Sequence, residues 1–161
     1  MTEHDEHTPT ELTPALAETA RRRADLHQVI VAMEKAIARP AVGRETDWSK
    51  DVRRALQDLQ HAIEEHIENA ERPRGLYDEI GMKAPRLASK VEQLKLEHPE
   101  MRGGADTLAD RLESTPIGEA WPVAEARDDL QRLLGRLVRH RQLGADLVWE
   151  AYNLDIGGLE S

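Results

Sequence analysis

The chain has 161 residues, 33% of them charged and only 3% aromatic with no Phe, so its core must be built from Leu, Ile, Val, Ala and Met, which favours helix packed on helix over a β-sandwich in a single domain. A formal net charge of −9 is unsuited to nucleic acid or an anionic membrane as main partner, because phosphate contacts need a basic surface. With no Cys there is no disulfide framework, thiolate nucleophile or Cys-ligated zinc or iron–sulfur site, and any metal must be held by nitrogen and oxygen donors.

Residues 1–13 read as a disordered, acidic N-terminal tail, polar rather than signal-like, with His4 and His7 solvated in it. The longest apolar run, Val29 to Met33, is far short of a membrane span, so the expected location is cytoplasmic. The first helix is predicted from about 14 to 39, with Thr13 as N-cap, Pro14 in the first turn and the stripe Leu26, Ile30, Met33, Ile37. A second begins after Thr46-Asp47, either of which can cap, and carries Val52, Leu56, Leu59, Ile63, Ile67 and Ala70 until Pro73 and Gly75. The linker that follows, residues 71–81, has room for a short helical turn of its own.

A third segment starts near Ala84-Pro85 with Leu87, Val91, Leu94 and Met101, but Pro99 and Gly103-Gly104 predict one kinked helix or two short ones. After Ser114-Thr115-Pro116 a long fourth runs from about 119 to 153, with Val123, Leu130, Leu133, Leu137, Val148 and Ala151 on one stripe. Four amphipathic segments joined by short loops predict an all-α, up-down-up-down four-helix bundle over residues 14–155, followed by a C-terminal tail at 156–161. Trp48, Trp121 and Trp149 lie near helix ends and read as packing plugs.

Four histidines, His27, His66, His98 and His140, fall one apiece in these segments, at or beside the apolar stripe. At about 100° per residue His98 lies about 20° from Val91, while His66, His140 and His27 lie about 60° from Ile63, Leu137 and Ile30. His61 falls on the outer face. Imidazoles are costly to bury singly, so four converging on one interior suggest a metal site or the remnant of one. Counted along the predicted helices their depths differ by about 12 Å, with His66 and His98 the best-matched pair.

Inward histidines on four antiparallel helices resemble the hemerythrin-like, or HHE cation-binding, family. The resemblance is carried by LHQVI at 26–30, HIENAE at 66–71 with LY at 76–77, LEHPEM at 96–101 and LVRHRQLGAD at 137–146. It implies a hemerythrin-like bundle and a non-haem di-iron centre that binds oxygen, senses iron or oxygen, or handles peroxide. The chain departs from the family pattern where Ala70 follows His66 by four residues and Gly144 follows His140 by four, leaving Glu71, and less directly Glu34, as inward carboxylates. The resulting ligand set is His27, His66, His98, His140 and Glu71, a reduced, His-rich site that suits one non-haem iron or another divalent metal better than two.

The functional expectation is therefore binding of a metal ion and a small oxygen species rather than fast catalysis, with no catalytic residue assigned. Its alternatives are a metal-free interaction module that meets a protein partner through its acidic surface or Trp-bearing ends, and a di-iron enzyme acting on peroxide. Gly144, in mid-helix, is expected to mark close helix packing rather than room for a ligand.

Overall fold

Thr13 does what its position predicts: its Oγ1 accepts the Leu16 N–H at 3.2 Å, and Pro14 opens α1, Pro14–Ala38, where its missing N–H costs nothing. A computed structural model describes residues 13–153; the two predicted tails, apart from Thr13, lie outside the described residues. Helix α2, Glu45–Glu71, starts earlier than predicted, at an Arg44 cap with no side-chain bond, so neither Thr46 nor Asp47 caps it. The linker folds into α3, Leu76–Lys83, and a 3₁₀ turn, Pro85–Leu87, leads into α4, Ala88–Ser114. The last helix, α5, is Val123–Tyr152, beginning after Pro122 and closed by Asn153 in the left-handed conformation at φ 54°.

Of the two alternatives expected for the third segment, two short helices do not occur: α4 is one uninterrupted helix through Pro99 and Gly103-Gly104. Pro99 sits on the exposed face, where the carbonyl it leaves without a helical donor can be hydrated. Gly104 faces α5, and a Cβ there would come within 3.3 Å of Leu133 Cδ1, so its smallness lets the two helices approach.

The long helices α1, α2, α4 and α5 form the predicted all-α, up-down-up-down four-helix bundle. Cross-helix bonds fix the antiparallel order: Arg22 with Glu65, Gln60 with Asp106, Arg111 with Asp129, and Arg127 with the Ile37 carbonyl. Among the described residues no helix is long and apolar enough to cross a membrane.

The interior holds two apolar clusters. The larger contains Leu26, Ile30, Ile63, Met101 and Leu137, with Trp48 and Trp121 fully buried at its far end. The smaller gathers Leu16, Ile80, Leu94 and Val148 under α3. Along every long helix a gap separates the two, and on α4 and α5 that gap holds His98 and His140. Trp149 is 52% exposed and plugs nothing, unlike the other two Trp.

Candidate metal centre

Three helices deliver one imidazole each to the layer between the two clusters: α2 brings His66, α4 brings His98 and α5 brings His140. His98 and His140 are 1% and 2% exposed, and His66 packs its ring edge-on against both. Ring centroids are 5.0–5.3 Å apart, and one nitrogen from each ring lies within 4.8 Å of the other two. The 12 Å spread of depth inferred from the sequence is absent, since the three rings lie against one another; its deepest member, His140, was counted from a last-helix start placed about four residues too early.

Carboxylates fix two of the three rings. Glu71 lies 2.8 Å from His98 Nδ1 and Glu97 lies 2.9 Å from His140 Nδ1. An ionised carboxylate only accepts, so each Nδ1 carries the hydrogen and each Nε2 presents a lone pair to the interior. The His98 lone pair meets the Tyr77 hydroxyl at 3.3 Å, and the His140 lone pair meets His66 Nε2 at 3.0 Å. Tyr77 and His66 are then the donors.

The network holds the histidines neutral. Burial depresses the His66 pKa from 6.5 to about 3, with the neighbouring His140 and His98 adding to it. Burial lowers His98 and His140 as well, opposed by the hydrogen bonds that their Nδ1–H groups donate to Glu71 and Glu97. Burial raises the Tyr77 hydroxyl above its usual range, with the charges of Glu71 and Glu97 reinforcing the shift, so it remains a donor.

Neutral imidazoles with Nε2 turned inward and Nδ1 bonded to a carboxylate are the arrangement metals use, since the outer carboxylate orients the ring and raises its basicity. Three nitrogens around one tetrahedral ion stand about 3.3 Å apart. The present separations, 3.0 Å for the closest pair and at most 4.8 Å, need only side-chain adjustment to reach that. The donor set does not fit two irons. Those need bridging carboxylates, and Glu71 and Glu97 are both engaged at Nδ1 atoms behind the rings.

His27 is not part of the group: it is exposed on α1, and Leu26, Arg23 and Thr19 occupy the positions facing the site. Glu71 reaches the site behind His98 rather than among the clustered atoms. Glu34 is exposed, and so is His61, which pairs with Glu65 at 3.0 Å. Sequence reasoning missed Glu97 and assigned no role to Tyr77. Glu97 adjoins His98 in sequence but serves the ring of another helix, which only the tertiary register reveals.

Beside His66 and His140 lies a cavity of about 40 Å³, bounded also by Arg23, Tyr77, Arg141 and Gly144. A Cβ at Gly144 would meet nothing within 4 Å, so this glycine opens space beside the site instead of serving close packing. No family model matches the chain, and no curated protein and no solved structure matches it either.

Proposed function

We propose that this protein binds a single metal ion through the Nε2 atoms of His66, His98 and His140, with Glu71 and Glu97 orienting two of the rings. The reading keeps the likeness to hemerythrin-like bundles in architecture and reduces the centre to one zinc, non-haem iron or similar ion. The observation that carries it is the pairing of each buried Nδ1, on His98 and His140, with its own carboxylate, which leaves both Nε2 lone pairs on the inner side, in rings whose ligand atoms lie within 4.8 Å of one another and of His66. Three protein ligands leave an open position toward the cavity, which suits capture or sensing of a small oxygen species in a cytoplasmic setting. Nothing in the site supplies a second metal or a dedicated general base, so binding rather than fast turnover is its role.

A second reading, a metal-free interaction bundle, draws on the direct His66–His140 hydrogen bond, which satisfies both rings without an ion. Elemental analysis of protein purified without chelator, and again after reconstitution, separates the two. Up to one ion per chain, lost in the His66→Ala, His98→Ala double variant, is the expected result. Unchanged metal content in that variant, or no metal under either condition, refutes the proposal, and about two irons per chain points to a di-iron enzyme instead.

A further inference from the structure

We propose that the Tyr77 oxygen is a fourth protein ligand to the ion held by His66, His98 and His140, and that the site is built for ferric iron. The inference rests on the metal-binding reading and adds a ligand and the identity of the metal.

The placement of the hydroxyl carries it. Tyr77 Oη lies 3.3 Å from His98 Nε2, and His66 Nε2 lies 3.0 Å from His140 Nε2. Donor atoms that share one ion stand about that far apart, so the site holds two pairs already at ligand spacing. The Tyr77 ring stacks with that of His98, their planes 14° apart, and borders the same cavity as His66 and His140. Among the described residues His98 is the one hydrogen-bond partner of this buried hydroxyl. An ion that takes the His98 Nε2 lone pair removes that partner and stands in its place.

The fold holds Tyr77 there from both sides. It is the second residue of α3, and a Cβ on Gly75 before it would lie 2.7 Å from the Asn69 carbonyl oxygen, so α3 starts hard against the end of α2. After it, Glu79 accepts the Thr13 and Tyr152 hydroxyls.

Donor chemistry selects the metal. Without an ion, burial and the charges of Glu71 and Glu97 keep the hydroxyl protonated, but a cation in contact is the largest local charge and reverses that order. On uptake of iron(III) the O–H bond breaks, the iron–oxygen bond forms, and the proton leaves to solvent with no change of oxidation state. Phenolate is a hard, anionic donor, and Glu71 and Glu97 add their charges directly behind two of the rings, a set matched to a trivalent ion and beyond what zinc requires. Ferric iron also takes more ligands than zinc, so the position toward the cavity stays open with Tyr77 bound.

The chain has two tyrosines, and Tyr152, whose hydroxyl bonds to Glu79, is the control. Metal-free protein is loaded with ferric nitrilotriacetate or with zinc, desalted, and read by elemental analysis and visible absorption. Phenolate on ferric iron absorbs strongly in the visible by charge transfer, and imidazole alone does not. The expected result is one iron per chain with an intense visible band, in the parent and in Tyr152→Phe. Tyr77→Phe should lose the band and bind iron at least tenfold more weakly, with zinc uptake unchanged. One iron per chain without a band, a band that survives in Tyr77→Phe, or uptake of zinc but not ferric iron overturns the inference and spares the metal site. Uptake of neither metal overturns both. Should Tyr77→Phe fail to fold, resonance Raman of iron-loaded Tyr152→Phe carrying ring-deuterated tyrosine decides. Enhanced modes that shift with the label assign the band to Tyr77, and modes that do not shift overturn the inference.

Discussion

His66 and His140 hydrogen-bond Nε2 to Nε2 at 3.0 Å across the interior of the bundle, between the diagonally placed helices α2 and α5. Since Glu97 fixes the hydrogen of His140 on Nδ1, His66 must donate, and a metal that takes both nitrogens has to displace this bond. Replacing His66 with Ala leaves the His140 lone pair buried without its donor, so stability should fall by about 1–3 kcal/mol. Urea denaturation of the metal-free protein checks the size, and a loss well under 0.5 kcal/mol would show the bond to be incidental.

Acid should unfold the metal-free protein through this cluster. All three histidines are held below their ordinary 6.5, His66 at about 3, so in that window the unfolded chain binds more protons than the folded one. Stability is therefore fully present above about pH 6.5 and is lost as pH falls toward the folded values. Each histidine contributes a slope of about 1.4 kcal/mol per pH unit within its window. Denaturation midpoints measured from pH 7.5 to 4.5 should fall steeply, and His66→Gln should flatten the curve. An unchanged slope in that variant contradicts the assignment.

Glu97→Gln and Glu71→Gln should each weaken metal binding by about 10–100-fold, the usual cost of removing a carboxylate that orients a ligating imidazole. Competition with a chromogenic chelator measures this. His27→Ala and Glu34→Gln, both exposed, should leave the affinity unchanged. A drop with His27→Ala would restore that residue to the ligand set.

Gly144→Ala should stabilise the protein by about 0.5–1 kcal/mol, because the added methyl meets nothing and glycine is a poor mid-helix residue. Calorimetry would show a higher Tm. A lower one would mean that the neighbouring helix already closes on that position.

The bundle was legible because its evidence is local. The stripes at 26–37, 52–70, 87–101 and 123–151 lie on helices as their spacing requires. The site was legible in part. His66 is about 30° from the mean direction of the residues that α2 buries, whereas His27 is about 90° from the centre set by Leu26, Ile30, Met33 and Ile37 together. Measured against Ile30 alone it looked no worse placed than His66, and a single reference residue is too coarse at a stripe edge. Glu97 could not be found this way: its value depends on α4 and α5 being level at residues 97 and 140, and axial register depends on loops and caps that periodicity does not encode.

One oxygen of Glu79, on α3, accepts hydrogen bonds from both the Thr13 hydroxyl at 2.6 Å and the Tyr152 hydroxyl at 2.7 Å. The same short helix carries Tyr77 onto the histidines, so the first turn of α1, the last turn of α5 and the roof over the cavity share one fastening. A substitution at Glu79 therefore frees two chain ends and the cavity's Tyr77-bearing edge at once, so its effect is felt at three places in the fold.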